Sequence, residues 1–485
     1  MDKSKLRIFK TSHKKKQNHI LHSSKKISSQ SEIDNLINNF LIIKNSFVFE
    51  SVEKGKIRGR YTIFGRDPDK IWEFNNFNSY LINYKNIKKK LNIKPKKLIE
   101  RLIENFNFKT PKTLPPICSL LAGFFSYDTI RYIEKIPNSC SDDLKLPDAR
   151  LMRPRELIIY DNIKKKFFFI INTFKDEKIG NYEKKFLEIS EKLFNLENLI
   201  RIKNNNLFKN SKKKIIFKSN ISKKKFINNV KKAKKYIKIG DIFQVVLSQR
   251  FEARLTKEPL KIYKKLRITN PSPFMYFFNF NDFQIIGASP EILVRLRDNI
   301  ITIRPIAGTR PRGITKKQDE KFKKDLLNDR KELSEHLMLL DLGRNDTGKV
   351  SKINTVKVTE KFKIEKYSHV MHIVSNVIGK FNNKFSKYET LMSGFPAGTV
   401  SGAPKIRAME IIDELEKNKR KIYAGGIGYF SSNGDFDTCI ALRTAVSKNK
   451  KFYVQAGAGI VADSKPYNEY NETVNKAKAL IKALE

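Results

Sequence analysis

Short runs of β-branched and aromatic residues, separated by turn residues, recur along most of this chain and limit what it can fold into. Runs of this length and composition predict β-strands. Before residue 203 they are FLIIKNSFVFESV, IRGRYTIFG, ELIIYDN and KKFFFIINTF, and after residue 214 they are IFQVVLSQRF, FMYFFNF, FQIIGA, ILVRL and ITIRPI. ELIIYDN and KKFFFIINTF are predicted to form a hairpin that turns at Asp161 and Asn162.

Helices are predicted where apolar residues recur every three or four positions. Phe226, Val230, Ala233 and Ile237 form such a stripe, and Gly240 ends it. Further helices are predicted through about residues 321–342, from near residue 404, and over about residues 466–484. Strands and helices do not alternate strictly and no internal repeat is present, so the α+β class is expected.

The chain has 485 residues, which is long enough for two or three domains with a sizeable buried core. A Lys- and Asn-rich stretch, with NNNLFKNSKKK at its centre, is typical of a linker. We therefore expect four parts. They are a basic, poorly ordered segment at residues 1–31, an N-terminal domain at 32–202, the linker at 203–214 and a C-terminal domain at 215–485.

The chain carries 98 Lys and Arg residues against 50 Asp and Glu residues, a net charge of +48. A nucleic-acid-binding protein gathers such charge on one face. Here the lysines are scattered in short clusters along nearly the whole chain, among abundant Asn, Ile and Phe, which indicates a bias toward A/T-rich codons. A basic nucleic-acid-binding protein remains the alternative from another functional class.

Hydropathy and cysteine usage favour a cytoplasmic location. No apolar stretch approaches the roughly 18 residues that cross a bilayer. Cys118, Cys140 and Cys439 are far apart, odd in number and without metal-site spacing, which is typical of neither a disulfide scaffold nor a structural zinc site. The first part of the chain contains no apolar signal region, so secretion is not expected, and an organellar transit peptide is the alternative.

Acidic residues are scarce, so their clustering is informative. In RKELSEHLMLLDLGRND, Glu332 and Glu335 share one face of a predicted helix. The leucines expected to pack beside them are Leu333, Leu337 and Leu340. The same E-x-x-E spacing returns at Glu469 and Glu472. Two such faces can converge on Mg²⁺, which prefers carboxylate oxygens; from the spacing alone, surface glutamates on two helices are the alternative.

Many of the 21 glycines fall in four clusters, PIAGTRPRG, FPAGTVSGAPK, YAGGIGYF and VQAGAGIV. Glycine is costly inside strands, so clustering indicates backbone that approaches a ligand or adopts positive φ. Exposed N–H groups, especially where residues 402–405 open a helix, can receive an anion. Tight turns in a curved sheet are the alternative. None of the clusters matches a nucleotide-binding loop.

Nine segments together carry a family resemblance. In order they are GASPEILVRL, IRPIAGTRPRG, DRKELSEHLMLLDLGRND, YSHVMHIVS, GTVSGAPKIRAMEII, YAGGIGYF, DTCIALRTA, VQAGAGIVADSKP and NETVNKA. They resemble the chorismate-utilising enzymes, and most closely the anthranilate synthase component I family. The resemblance is dense over about residues 220–485 and weaker before them. It implies two interlocked α+β domains with antiparallel sheets flanked by helices.

The resemblance implies a magnesium site and a chorismate site. Glu335 and Glu472 become direct ligands of Mg²⁺, with Glu332 and Glu469 nearer its water molecules, and the metal holds the ring carboxylate of chorismate. The residues implied to bind the substrate are Gly308, Thr309, Tyr423, Arg443, Gly457, Ala458 and Gly459. Arg443 offers a fork of donors to the enolpyruvyl carboxylate.

Four residues are implied to act in catalysis, namely His372, Gln244, Thr399 and Lys476. A histidine exchanges protons near neutral pH, which suits a step that expels a hydroxyl group; His369 is the rival candidate. Lys476 would orient the carboxylates beside the metal. Ala307 stands where the aminodeoxychorismate branch has a lysine nucleophile, and Gln244 stands where isochorismate synthases have a water-activating lysine.

These replacements favour ammonia as the nucleophile. The implied reaction converts chorismate and ammonia to anthranilate and pyruvate, in tryptophan biosynthesis. The chain has no G-x-C-x-G nucleophile motif, so a separate glutamine amidotransferase subunit is implied, in a heterotetramer. The alternative within the family is aminodeoxychorismate synthase component I.

The resemblance also implies a feedback site for tryptophan, shared between an N-terminal regulatory domain and the catalytic domain. Its residues are Glu50, Ser51, Pro273, Phe274, Met275 and Cys439. A ligand that bridges two domains changes activity only through different affinities for two conformations. An ordinary interdomain core is the alternative.

Overall fold

A computed structural model describes residues 3–27, 29, 31–51, 59–106, 108, 110–202, 215–367 and 370–484. The helices are α1 (Lys3–Lys14), α2 (Ser31–Phe40), α3 (Pro95–Asn105), α4 (Tyr182–Leu199), α5 (Lys223–Lys238), α6 (Pro259–Thr269), α7 (Lys316–Asn328), α8 (Arg330–Gly348), α9 (Lys387–Ser393), α10 (Lys405–Leu415) and α11 (Pro466–Leu484). Short 3₁₀ helices lie at Tyr127–Tyr132 and Gly398–Val400.

The strands of the first half are β1 (His19–Lys26), β2 (Ser46–Glu50), β3 (Tyr61–Asn75), β4 (Asn78–Asn83), β5 (Lys88–Leu91), β6 (Leu120–Phe125), β7 (Ala149–Asp161) and β8 (Lys166–Thr173). Those of the second half are β9 (Lys218–Ser219), β10 (Gln244–Arg254), β11 (Phe274–Asn279), β12 (Gln284–Ser289), β13 (Ile292–Arg297), β14 (Ile300–Ile303), β15 (Ile306–Pro311), β16 (Lys357–Lys366), β17 (Val370–Lys380), β18 (Gly402–Ala403), β19 (Gly426–Ser431), β20 (Phe436–Ile440), β21 (Thr444–Lys448) and β22 (Lys451–Ile460).

All of these strands belong to one hydrogen-bonded network, and neighbouring strands run antiparallel. From the long β3–β7 pair the network continues by two routes. One route runs through β6, β19, β20, β13 and β14 to β17, which also pairs with β15 and β16. The other runs through β2, β11, β12, β21 and β22 to β10. The α+β prediction with interlocked halves is confirmed.

Three hydrophobic cores each combine residues from before and after residue 203. In one core, side chains on one face of β6 and β7 pack with those of α5, α10 and β13. A second packs α1, α2 and α4 with α6 and the end of α11. The third fills the space between β7 and β8 and the strands β11 and β12. Because the cores cross the expected domain boundary, each half completes the other. The predicted linker, residues 203–214, lies outside the described residues.

Several local predictions are confirmed. The strands β7 and β8 form the predicted hairpin. Helix α5 buries Phe226, Val230 and Ala233, and Gly240 follows its end with φ of +85°. Helix α11 has the predicted bounds. None of the helices in the described part of the chain has the length and apolar content needed to span a membrane.

The first part of the chain differs from the expected poorly ordered segment. Lys3–Lys14 forms a helix, and His19–Lys26 pairs along its whole length with β8. Leu6, Phe9 and Leu21 are buried in the second core, while the lysines around them are mostly exposed. A few apolar residues at helical and strand spacing are therefore enough to form regular structure here. The many exposed lysines dominate the composition of the segment and led to the expectation of poor order.

The predicted helix through residues 321–342 is two helices. Asp329 is extended between α7 and α8, and its side chain accepts hydrogen bonds from the backbone N–H groups of Lys331 and Glu332. An aspartate that caps a new helix in this way ends the previous one. The predicted leucine stripe is also wrong in part, because Leu337 is 44% exposed. The buried positions of α8 include His336 instead.

Candidate active site

Glu335 on α8 faces Gln244, the first residue of β10. The Gln244 Nε2 atom donates a hydrogen bond to the Glu335 Oε1 atom at 3.2 Å. Burial raises the pKa of the Glu335 carboxyl, and the negative charges of Glu332 and Glu472 raise it further. The structure therefore brings carboxylates from α8 and α11 within electrostatic reach of one another.

Two glycines of β22 leave room for side chains on the neighbouring elements. A Cβ atom at Gly459 would lie 2.6 Å from the Gln244 Nε2 atom, and one at Gly457 would lie 2.6 Å from the Tyr423 hydroxyl oxygen. These distances are too short for a real contact, so an alanine at either position would require Gln244 or Tyr423 to move. The VQAGAGIV cluster therefore brings bare backbone against Gln244 and Tyr423. Ala458 between them is buried.

Two of the four predicted metal ligands already have cationic neighbours. Arg310 donates to Glu332 at 3.2 Å, and Lys476 pairs with Glu472 at 2.6 Å. Lys476 also donates to the Gly457 carbonyl oxygen at 3.1 Å. Burial raises the pKa of the fourth carboxyl, Glu469, and the charge of Glu472 adds to this shift.

Over residues 3–484 with the stated gaps, no three His, Cys, Asp or Glu side chains lie close enough together to form a complete metal site. The donor chemistry nevertheless suits a hard cation, since the four predicted ligands offer carboxylate oxygens. Burial is the main cause of the raised pKa of Glu335, and a divalent cation would relieve the smaller part that comes from repulsion by Glu332 and Glu472.

His372 on β17 lies against the loop that carries Gly308 and Thr309. Its Nδ1 atom is 3.0 Å from the Gly308 carbonyl oxygen and 3.0 Å from the Thr309 Oγ1 atom. Because a carbonyl only accepts, Nδ1 carries the ring proton and Nε2 keeps its lone pair. Burial lowers the pKa of His372 to about 4, and the charges of Arg443 and Lys476 act in the same direction.

His372 is therefore a neutral imidazole near pH 7, which differs from the expectation that it exchanges protons there. The physical reason is burial beside two cations, which the sequence pattern did not reveal. The rival histidine, residue 369, lies outside the described residues.

Arg443 follows β20 with a φ of +47°, in the left-handed region. Burial lowers the pKa of its guanidinium. Within the described ranges its side chain forms no ion pair with a carboxylate, in contrast to Arg420 and Arg310. Its charge reaches His372, so the predicted arginine and histidine share one region of the site.

One candidate residue was missed at the sequence level. Glu291, in GASPEILVRL, is 5% exposed, and burial raises the pKa of its carboxyl to about 8. The Thr399 hydroxyl donates to its Oε1 atom at 3.1 Å, and both residues line one pocket with Gly398 and Pro305. The available signal was a glutamate placed directly before an apolar strand in a chain with few acids.

The predicted tryptophan residues lie around the pairing of β2 with β11. Glu50 is opposite Met275, and its carboxylate is held by Arg267 at 2.8 Å and by the Tyr263 hydroxyl. Pro273 precedes Phe274, which pairs with Ser289 of β12. The hydroxyl of Ser289 hydrogen bonds with Cys439, so this residue belongs to the same neighbourhood. A Cβ atom at Gly59 would lie 2.0 Å from the Ser51 Cβ atom.

Comparison with known proteins decides the family. The family model described as chorismate binding enzyme matches residues 65–482. Anthranilate synthase component 1 of Cereibacter sphaeroides is 48% identical over 448 residues, which are 91% of this chain and 89% of that protein. The chain belongs to the anthranilate synthase component 1 family of chorismate binding enzymes.

Two solved structures share the fold of this chain, and one of them also supports the family assignment. The crystal structure of anthranilate synthase component I from Streptococcus pneumoniae TIGR4 matches with a TM-score of 0.78 and 38% identity, over 88% of this chain and 93% of that one. The menaquinone-specific isochorismate synthase from Escherichia coli matches with a TM-score of 0.73 at 16% identity, which shows a shared fold.

These matches extend over most of the chain. The resemblance was expected to be weaker in the first half, and the alignment with the Cereibacter sphaeroides protein extends into that half, since it covers 91% of this chain. The predicted substrate, catalytic and metal residues all fall within the family match at residues 65–482. Glu50 and Ser51, by contrast, precede the part of the chain that the family model matches.

The raised pKa of Glu291 gives a testable dependence of stability on pH. Between its ordinary pKa of 4.5 and the folded value of about 8, the folded protein holds a proton that the unfolded chain releases. The free energy of unfolding should therefore fall with rising pH in this window, by up to about 1.4 kcal/mol per pH unit relative to Glu291→Gln. Urea denaturation from pH 5 to about pH 8 measures this difference.

Glu191→Gln, at an exposed position, is the matched control and should give a curve parallel to the wild type. Parallel curves for the wild type and Glu291→Gln would contradict a buried, protonated Glu291.

Proposed function

We propose that this chain forms anthranilate and pyruvate from chorismate, with ammonia as the nitrogen donor. The observation that carries this proposal is the environment of Gln244. Its amide nitrogen donates to Glu335, while its Oε1 atom is buried without a hydrogen-bond partner in the described part of the chain. A buried unpaired acceptor is costly, so the site is suited to a small donor such as ammonia. The names of the relatives support the same reaction.

Ammonia needs no general base, because its nitrogen already has a free electron pair. An N–H bond of ammonia directed at the Gln244 Oε1 atom would hold this pair toward the substrate ring. A glutamine cannot remove a proton from water, so water is disfavoured as the competing nucleophile. In the first step a C–N bond forms at the ring carbon ortho to the carboxylate, the ring double bonds shift, and the 4-hydroxyl group leaves. The added nitrogen then releases one proton and becomes a neutral amine, which balances the proton taken up by the leaving group.

The leaving hydroxyl needs a proton, and Glu291 is the donor that we propose. Its pKa of about 8 keeps it protonated near neutral pH, so it can donate to the departing oxygen, which leaves as water. His372 is neutral and presents its Nε2 lone pair, which accepts a hydrogen bond from a substrate hydroxyl. Two titratable groups with opposite pKa shifts thus take different roles.

The second step eliminates pyruvate. The ring carbon that received nitrogen loses its proton, the ether bond to the enolpyruvyl group breaks, and the ring becomes aromatic. The released enolpyruvate takes up one proton at its methylene carbon and becomes pyruvate, so the protons balance. Arg443 would hold the enolpyruvyl carboxylate through two parallel N–H donors. The Tyr423 hydroxyl would add a third donor, and burial raises its pKa to about 12, so it remains protonated. Backbone groups around Gly457 and Gly459 would face the ring carboxylate.

We also propose a magnesium ion at the acidic site. Glu335 and Glu472 would hold it, with Glu332 and Glu469 nearer its water molecules. When bound, the ion supplies positive charge for the ring carboxylate of chorismate. Support comes from the carboxylate donor set and from the charges of Glu332 and Glu472, which add to the effect of burial in raising the pKa of Glu335.

The relatives are named component 1, which implies a second component. We propose that this partner is a glutamine amidotransferase that supplies the ammonia, in a heterotetramer, and that the protein is cytoplasmic. The high net charge then reflects solvated surface lysines. Strong binding to random DNA without turnover of chorismate would favour the nucleic-acid-binding alternative instead.

The direct test is anthranilate fluorescence after chorismate is added to the purified chain with ammonium at alkaline pH and Mg²⁺. We expect anthranilate without any partner subunit, because free ammonia replaces the supply from glutamine. EDTA should abolish the signal, and excess Mg²⁺ should restore it. No turnover, or an aminodeoxychorismate product in the mass spectrum, would contradict the proposal.

Gln244→Ala tests the ammonia contact. We expect the KM for ammonia to rise about tenfold, the equivalent of one lost hydrogen bond, with a smaller change in the KM for chorismate. Gln249→Ala on the same strand is the control, because the side chain of Gln249 is buried but bonded to Ser219 and Thr473. It should reduce stability and leave the KM for ammonia unchanged. Equal effects of both variants would contradict the assignment.

We further propose that tryptophan binds beside Glu50 and Ser51 and inhibits the enzyme. Support comes from the grouping of Glu50, Met275 and Cys439 around neighbouring strands. Ser51→Phe should abolish tryptophan inhibition in the ammonium assay and spare catalysis, because a large side chain fills the site. Loss of both properties would indicate misfolding, and retained inhibition would exclude the site.

A further inference from the structure

A single buried arginine contacts three segments that carry predicted site residues. The Arg420 side chain is 1% exposed. Its Nη1 atom donates to the Val400 carbonyl oxygen at 2.7 Å, and its Nη2 atom donates to the Val246 carbonyl oxygen at 2.6 Å. Val400 follows Thr399, and Val246 is two residues after Gln244 on β10.

The third segment is the turn that leads into β19. The guanidinium carbon of Arg420 lies 5.5 Å from the centre of the Tyr423 ring, within the range of a cation–π contact. The same carbon lies 4.9 Å from the ring of Tyr127, which precedes residue 203. Arg420 therefore joins the Thr399 loop, the strand of Gln244 and the turn of Tyr423, and connects them to the first half of the chain.

The charge of Arg420 is fully compensated. Its Nε and Nη2 atoms donate to the two carboxylate oxygens of Glu416 at 2.9 and 2.6 Å. Glu416 also accepts the backbone N–H and the hydroxyl of Ser248, both at 2.8 Å. A planar guanidinium reaches the carboxylate and two carbonyls at once, which a lysine ammonium cannot do.

We propose that Arg420 is a positioning residue for the chorismate site, which sets the ring of Tyr423 relative to Gln244 and Thr399. The inference rests on the proposed function, because it assigns Tyr423 to the substrate. Arg420 acts through Tyr423 and does not itself touch the substrate. Its effect is on substrate affinity, since the Tyr423 contact exists both before and during the reaction.

Arg420→Lys is the test variant, because it retains a cation beside Glu416 and avoids a buried unpaired carboxylate. In the ammonium assay we expect the KM for chorismate to rise about tenfold and kcat to change less than threefold, the signature of lost ground-state binding. Titration calorimetry with chorismate, without ammonium, should show the same loss of affinity. Wild-type turnover in the same assay tests the proposed function separately.

Lys421→Met is the matched control. Lys421 is the next residue, is also fully buried, and pairs with Asp142 at 2.8 Å and Asp148 at 3.0 Å. Its loss should lower the free energy of unfolding through the unpaired aspartates and leave the KM for chorismate unchanged. An equal rise in KM for both variants would show that general destabilisation, and not positioning, explains the Arg420 effect.

A double-mutant cycle with Tyr423→Phe gives the decisive readout. If Arg420 acts through the Tyr423 hydroxyl, Arg420→Lys should have little further effect on the KM of Tyr423→Phe, less than about twofold. Additive effects of the two substitutions, or a wild-type KM in Arg420→Lys, would overturn the proposal.

Discussion

The pairing of β10 with β22 is the constraint on which the candidate site depends. Its register sets Val246 opposite Gly459 and Ser248 opposite Gly457. The two glycines allow the side chains of Gln244 and Tyr423 to lie directly against the backbone of β22. A shift of one residue would place alanine or isoleucine at these contacts and turn every side chain of the strand to the other face. The register of the two strands therefore determines which backbone atoms lie next to the side chains of the site.

Burial shifts the pKa values of the titratable groups of the site in opposite directions. Desolvation disfavours the charged form of any group. It therefore lowers the pKa of His372, which stays a neutral imidazole, and raises the pKa of Glu291, which stays a neutral carboxylic acid. Near neutral pH the site thus contains a neutral hydrogen-bond acceptor and a neutral acid, while Arg443 keeps the positive charge needed for a dianionic substrate. The family resemblance named His372 and Arg443 but not Glu291, and the protonation states of these groups depend on how deeply each is buried in the fold.

Local periodicity was sufficient for most elements and for the α+β class, because α5, α11 and the β7–β8 hairpin each bury a regular apolar pattern. It failed where one residue redirects the chain, as Asp329 does by capping α8. It also failed for Lys3–Lys14, where composition hid two buried apolar residues. The candidate site was predictable only through the family resemblance, since the positions brought together by β10, β17 and α11 are far apart in sequence.

The distribution of charge gives a physical reason to expect a cation at the acidic site. The chain has 98 basic residues and 50 acidic ones, so most carboxylates can find a cationic partner. The buried ion pair between Lys405 and Asp346 is an example. Glu335 behaves differently, because burial raises the pKa of its carboxyl and the neighbouring carboxylates of Glu332 and Glu472 add to this rise despite the surplus of lysines. Keeping like charges together costs free energy in the folded protein. A divalent cation held by those carboxylates would offset this cost, and a lysine in its place would leave no open coordination position for a substrate carboxylate.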